Sequence, residues 1–296
     1  MTAHSRPAFT IQHGTSVQSL GSGSSGNGFI VTTGEGMLLI DAGIGIRTLV
    51  SSLRARNIAL EDIETILVTH EHSDHIRTLP KIVRNDTTIF ATNGTAIRSA
   101  VARDQHIRAI GDTPQKIGGI TVWPLPVRHD AKEPCGFMLE LPDRTRVTML
   151  TDIGSWQESL AEYVRASDLV ILEANHDEEM LRTGPYPQYL KRRVASDVGH
   201  LSNRHCGIAL GHTLRGTSHE PEIWLAHLSE HNNLPGLAEE TVREELRKAD
   251  LDLQVTALPR RSSSAVWTPS HRQTAPAFVS GITPTAPLEQ LGLELF

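Results

Sequence analysis

The sequence predicts an α/β fold in which two β-sheets pack face to face with helices outside, an αββα sandwich. Three observations lead there. Strand-length apolar runs recur along most of the chain, segments of helical spacing are interspersed among them, and glycine turns that make antiparallel hairpins mix with βα units. A doubly wound parallel sheet fits this mixture less well.

The elements follow in order. VQSL, FIVTT and MLLIDAG are short, aliphatic or β-branched, and bounded by glycine. IRTLVSSLRARN then places Ile46, Leu49, Val50 and Leu53 at helical spacing. TILVT (65–69) is a continuous apolar run of the kind buried on both faces. Further strands are expected at TIFAT, ITVWPL, GFMLEL, RVTMLTD, DLVILEA, IWLAHL and LQVTAL, and helices over 94–104, 155–164, 176–195, 202–215 and 237–249. After Pro259 the composition shifts to Ser, Thr, Pro and Ala without period. The chain thus divides into a folded domain over 1–258, a disordered tether over 259–289 and an apolar terminal heptapeptide over 290–296.

A chain of 296 residues, 39% of them hydrophobic, can bury one sizeable core. Its net charge of −6, with no long basic run, argues against gripping nucleic acid by charge alone, although bound divalent cations would offset part of the deficit. The two cysteines, Cys135 and Cys206, make neither a disulfide framework nor a CxxC pair, which suits a reducing cytoplasm; both read as small buried residues. The start, MTAHSRPAFTIQHG, has no apolar leader core, and no run reaches membrane-spanning length. The expectation is a cytoplasmic protein with no membrane contact.

GSGSSG (Gly21 to Gly26) matches the dinucleotide fingerprint, with Asp41 at the expected distance behind it. The context excludes that reading, because a strand, NGFIVTT, follows where a helix must open. The loop is either a plain hairpin connection or a set of backbone N–H groups offered to an anion.

The chemistry concentrates in ILVTHEHSDH, where His70, His72, Asp74 and His75 stand directly behind an apolar strand. Imidazole and carboxylate are good ligands for Zn²⁺ or Mn²⁺. On a loop leaving the strand, His70 and His72 can face one ion while Asp74 and His75 face a second. Two sites need further donors at other strand ends, and His129 after VWPLPVR, Asp152 at the end of VTMLTD and His227 within IWLAHLSE qualify. A carboxylate such as Asp152 can bridge two cations.

The pattern T-H-x-H-x-D-H resembles the signature of the metallo-β-lactamase fold superfamily. More narrowly, SLGSGSSGN, LLIDAG, ILVTHEHSDH, TDIG, LVILEANHDEEML, GPYP, LKRRVASDVGHLSN and LAHLSEHNN are similar, in order over roughly 17–258, to its YycJ/WalJ branch. The resemblance implies an αββα sandwich with two divalent metal ions at one edge. It carries His70, His72 and His129 to one ion, Asp74, His75 and His227 to the other, and Asp152 to the bridge. The branch is associated with DNA exonuclease activity and mismatch repair.

Paired cations can share a water, lower its pKa and aim it at an electrophile, with Asp74 orienting it. His200, in DVGHLSN, stands just before the helix expected over 202–215, whose free N–H groups favour a phosphate. It can donate to a non-bridging oxygen or protonate the leaving alkoxide, a role that a histidine in related phosphodiesterases and tRNA-processing nucleases of the superfamily supports. A turn or capping role for His200 is the plainer reading, with Ser202 also able to cap. Asp41, Glu173, Asn175, His176 and Asn232 lie near strand ends, where they either orient the ligands or touch substrate; Asn232 and Asn233 are expected to brace the loop after His227.

The last residues, QLGLELF, are apolar where chain ends are usually polar, which suggests a docking peptide. They resemble the bacterial sliding-clamp-binding motif, which implies a clamp contact through Gln290, Leu291, Leu293, Leu295 and Phe296; the alternative is that the tail folds back on the domain. The combined expectation is a dinuclear metal phosphodiesterase acting on DNA, a 5′→3′ exonuclease in mismatch repair recruited by the clamp. A small-molecule hydrolase of the same fold, acting on a cyclic phosphodiester, thioester or β-lactam, is the alternative, and a non-catalytic cell-wall regulator a third.

Overall fold

The computed structural model describes residues 14–98 and 106–269. The first sheet runs, in spatial order, β1 (Ser16–Gly21), β2 (Gly28–Thr33), β3 (Gly36–Ile40), β4 (Thr65–Leu67), β5 (Thr88–Ala91) and β6 (Ile107–Ala109). Its first three strands are antiparallel neighbours, and from β3 onward the pairing is parallel. The second sheet holds β7 (Gln115–Ile117), β8 (Ile120–Pro126), β9 (Cys135–Glu140), β10 (Arg146–Leu150), β11 (Leu169–Glu173), β12 (Glu222–Ala226) and β13 (Val255–Ala257), side by side in chain order.

Helices cover the outer faces. Against the first sheet lies α1 (Ile46–Arg54), followed by the single turns α2 (Ser73–Ile76) and α3 (Leu79–Ile82) and by α4 (Asn93–Arg98). The rest belong to the second sheet's half: α5 (Ala161–Arg165), α6 (Glu178–Thr183), α7 (Gln188–Val194), α8 (Asn203–Leu214) and α9 (Pro235–Lys248).

The core forms three apolar layers, and the strand period of two explains them. Phe29 and Val31 of β2 face Phe137, Leu139, Met149 and Ile171 between the sheets. Ile30, between them in sequence, points outward to Leu49 and Leu53 of α1. Likewise Val170 and Leu172 of β11 turn away from Leu169 and Ile171 to meet Leu210, Val242 and Leu246 of α8 and α9. A strand buried on both faces must be apolar at every position, which is why these segments read as continuous runs. Cys135 and Cys206 are buried free thiols, and burial pushes both thiols up.

Several boundaries differ from those read in the sequence. The helix expected over 176–195 is two, α6 and α7, broken at Gly184-Pro185-Tyr186-Pro187. Proline lacks the N–H for the helical ladder, and Pro187 instead stands as the N-cap of α7. The segment 155–164 is a 3₁₀ turn at Glu158–Leu160 running into α5. The short strands β6 and β7 have no sequence signal, because three residues are too few to carry a readable alternation. Helix 94–104 is described only as far as Arg98.

The domain also continues past 258. Trp267 is 9% exposed, exchanges backbone hydrogen bonds with Val17 at 2.8 and 2.9 Å, and donates its indole N–H to Glu222. Ser264 N–H donates to Ser19 O, and Arg260 reaches Leu228 O and Asn233 O. The first eleven positions assigned to the tether, 259–269, are therefore a strap across the β1 edge, because an apolar indole finds a sheet edge to cover. The remainder of the tether and the heptapeptide 290–296 lie outside the described residues.

Truncation after Leu258 should lower the midpoint of thermal unfolding, whereas truncation after Pro269 should leave it unchanged. Trp267→Ala should cost about 3 kcal/mol in a denaturant titration.

Candidate metal centre

One edge of the sandwich collects a cluster of histidine and carboxylate side chains. β8 and β10 are both antiparallel to β9 and so run the same way, and β10, β11 and β12 are parallel. Their C-terminal ends therefore lie along one edge, where His129, Asp152, Glu173 and His227 emerge. From the first sheet, Asp41 follows β3, and Thr69, His70 and the turn of α2 follow β4. Asp41, Asp152 and His227 have φ of 58, 56 and 56°, in the left-handed region that costs a non-glycine residue about 1–3 kcal/mol.

The donors gather as two interlocking sets. Ligand atoms of His70, His72 and His129 lie within 4.8 Å of one another, as do those of Asp74, His75 and His227. Asp152 stands between them, with Oδ2 3.0 Å from His75 Nε2 and Oδ1 3.6 Å from both His129 Nε2 and His227 Nδ1. The structure brings the seven residues read from the sequence to one place. His70 Nε2 and Asp152 Oδ2 are buried atoms without a hydrogen-bond partner. A buried polar atom in that state is costly, and a lone pair aimed at a cation resolves it, so this donor set fits a pair of divalent ions.

Hydrogen bonds behind the donors select the tautomer each imidazole needs. His75 Nδ1–H donates to Asp41 Oδ2 at 2.7 Å, and Asp41 also accepts from Thr69 N–H and Oγ1–H. His129 Nδ1–H donates to Gly199 O at 3.0 Å. His227 Nδ1–H donates to Glu173 Oε1 at 2.8 Å, and the same oxygen accepts His200 Nδ1–H at 2.9 Å. The other oxygen of Glu173 takes the N–H groups of Ile153 and Leu201. In His75, His129 and His227 this leaves Nε2 directed into the centre.

The electrostatics follow. Burial holds the His70 imidazole well below its ordinary value, as a neutral ligand requires, and lowers His129 too. Burial would lower His75 as well, but the carboxylates of Asp152 and Asp41 carry it up to about 10. Burial opposes ionisation of Glu173, yet the imidazoles of His200 and His227 bring it down to about 2. Asp152 is likewise held well below the usual carboxylate range against its burial, chiefly by His227 and His75.

His200 sits over the pair, its ring 5.3 Å from that of His129 and 5.2 Å from that of His227. Two of the helix N–H groups expected to be free beside it are taken by the protein: Ser202 caps α8 by accepting His205 N–H, and Asn203 N–H donates to His176 O. Asn175 donates to His227 O at 2.8 Å, bracing the strand end. Asn232 touches no donor; it bonds to Ser229 and its carbonyl accepts Asp177 N–H, while Asn233 ties the same loop to Ala174 O and Asn175 O. His176 is buried, its Nδ1 has no partner, and burial lowers it to about 4.

The sequence reading missed the part played by GSGSSGN. The loop joins an antiparallel hairpin, and the N–H groups of Ser22, Gly23, Gly26 and Asn27 are all bonded within the protein, which leaves none of these four for an anion. Instead Ser22 Oγ accepts His227 N–H at 2.9 Å, Asn27 N–H donates to Asp74 O, and Asn27 Nδ2 reaches His75 Nε2 at 3.1 Å. Gly43 completes this contact: a Cβ there would overlap the Asp74 carbonyl. Glycine and asparagine in one loop were the signal, but only the fold puts them against the histidine motif.

A model of the β-lactamase superfamily domain matches residues 37–218. The chain is 38% identical over 245 residues to the exodeoxyribonuclease WalJ of Streptococcus pneumoniae serotype 2 (strain D39 / NCTC 7466), covering 80% of this chain and 90% of that one. It is 35% identical over 236 residues to the exodeoxyribonuclease YycJ of Bacillus anthracis, covering 77% and 88%. Among solved structures, the metallo-β-lactamase fold protein YhfI from Bacillus subtilis superposes with a TM-score of 0.62 at 19% identity, over 86% of this chain and 98% of that chain.

Glu173→Gln keeps the shape of the side chain but removes the charge two imidazoles share. Affinity for Zn²⁺ or Mn²⁺, measured by competition with a chromophoric chelator, should fall about 10–100-fold with an unchanged circular dichroism spectrum. A change below twofold would mean that Asn175 alone holds His227 in place.

Proposed function

The chain belongs to the metallo-β-lactamase fold superfamily, and from that premise we propose that it is a dinuclear metal phosphodiesterase that acts on DNA. The observation that carries the reading is Glu173 Oε1, one buried oxygen that orders both His227, in the donor set, and His200, poised outside it. Zn²⁺ or Mn²⁺ ions held by His70, His72, His129, Asp74, His75, His227 and Asp152 would supply Lewis acidity and a water of lowered pKa.

The chain's own groups do the rest. Asp74, the most exposed carboxylate of the set, faces the open side and can take a proton from an attacking water. His200 gives its Nδ1–H to Glu173, so its Nε2 is the atom left for substrate. With a proton on Nε2, His200 can donate to a non-bridging oxygen and then pass that proton to the leaving alkoxide.

Exonuclease action on DNA, with 5′→3′ polarity and a place in mismatch repair in the cytoplasm, extends this reading; the exodeoxyribonuclease names of the two relatives support the substrate. Among the described residues, no helix is long and apolar enough to cross a membrane. Recruitment by a sliding clamp rests on the terminal QLGLELF, and docking would supply the local concentration that a net charge of −6 does not. Hydrolysis of a small substrate is the second reading. The filled donor set and His200 together speak against a scaffold.

The metal-loaded protein should degrade end-labelled DNA as well as bis(p-nitrophenyl) phosphate, and His200→Ala should slow DNA cleavage about 10²–10⁴-fold. Cleavage of the small ester alone would favour the second reading. Deletion of 290–296 should abolish binding to a purified bacterial clamp without altering clamp-free hydrolysis; unchanged clamp binding refutes the docking peptide.

A further inference from the structure

The centre leaves the exposed face of helix α7 without a role. We propose that α7 is the surface that grips a single DNA strand on its way to the centre, with Arg192 and Arg193 on its phosphates and Tyr189 stacked on an unpaired base. The proposal rests on the reading of the centre as a DNA phosphodiesterase.

Tyr189, Arg192 and Arg193 stand at i, i+3 and i+4 and so share one face of the helix, while Val194 is its buried residue. Tyr189 is 69% exposed, more than any other large hydrophobic side chain among the described residues. The last turn carries Lys191, Arg192 and Arg193 together, a local cationic cluster on an acidic protein. An exposed aromatic beside cations is the combination that holds single strands, because every base has a face to stack and every link a phosphate. In a duplex those faces are covered, so the ligand is an unpaired strand.

The face is wired to the centre. Arg193 Nε–H donates to Asp130 Oδ2 at 2.6 Å, and Asp130 Oδ1 lies 3.4 Å from His129 Nε2 and 4.0 Å from His72 Nε2. The Arg193 side chain is half exposed, and so open an ion pair is weak, so a phosphate can replace the carboxylate. Arg192 pairs with no carboxylate among the described residues. A cleft of about 700 Å³ opens beside His72, lined also by Glu71, Ser73, Asp130, Ala131 and Lys132, and gives a strand room to pass. The helix is also held in register with the chemistry: His200 N–H donates to Val194 O at 2.9 Å, and Gly199 O fixes His129.

Binding of fluorescein-labelled oligothymidylate to the metal-loaded full chain, read by fluorescence anisotropy across a salt series, tests this. Arg192→Ala and Arg193→Ala should each reduce the slope of log K against log salt by about 0.7. Tyr189→Ala should weaken binding about tenfold with the slope unchanged, and Tyr189→Phe should restore it. For all three alanine variants the ratio of DNA cleavage to bis(p-nitrophenyl) phosphate hydrolysis should fall. Wild-type affinity and slope in Tyr189→Ala and Arg192→Ala would overturn the role of α7 and leave the nuclease reading standing. An equal fall on both substrates would also overturn it, as damage to the centre. Tighter binding of duplex than of the single strand would overturn the choice of ligand. A wild-type chain that neither binds nor cuts DNA would remove both readings.

Discussion

The edge of this sandwich is organised around a carboxylate that cannot be left alone. Asp152 is 2% exposed and lies among imidazoles from both sheets, its Oδ2 3.0 Å from His75 Nε2. In an apolar frame such a charge is tolerated only when opposite charge faces it. In the bare protein His75 and His227 supply it, both driven towards their protonated forms. Divalent ions would take over that role, and the imidazoles would give up their protons to become ligands. Charge compensation and metal binding are thus one constraint met in two ways.

The sheets answer that constraint geometrically. Three of the turns that deliver side chains to the edge use left-handed backbone at Asp41, Asp152 and His227, a local cost met by the packing around them. Behind the donors, Asp41, Glu173 and the carbonyl of Gly199 each take an Nδ1–H, and so decide which nitrogen faces inward. Glu173 does this twice with one oxygen, so the orientation of a ligand and the position of the proposed acid are not independent.

The periphery is tied to the same centre. The β1–β2 loop touches His227 through Ser22 and His75 through Asn27, and the 259–269 strap holds that loop's base through Ser22 N–H to Pro259 O. α7 reaches His72 and His129 through Asp130. Changes in either segment can therefore reach the donors without any direct contact between substrate and ion.

By itself the sequence determined the layers and the donors. Continuous apolar runs announced strands covered on both faces, and histidines directly behind one of them announced the metal chemistry, because both signals are local and need only neighbours in the chain. The helix break at Gly184-Pro185-Tyr186-Pro187 is an equally local signal. What tertiary structure alone decided is which groups share a partner: Glu173 between His200 and His227, Asn27 against His75, Gly43 under Asp74, Trp267 on Val17. Those pairs are brought together by sheet order and strand direction, and a side chain's chemistry does not record who stands opposite it.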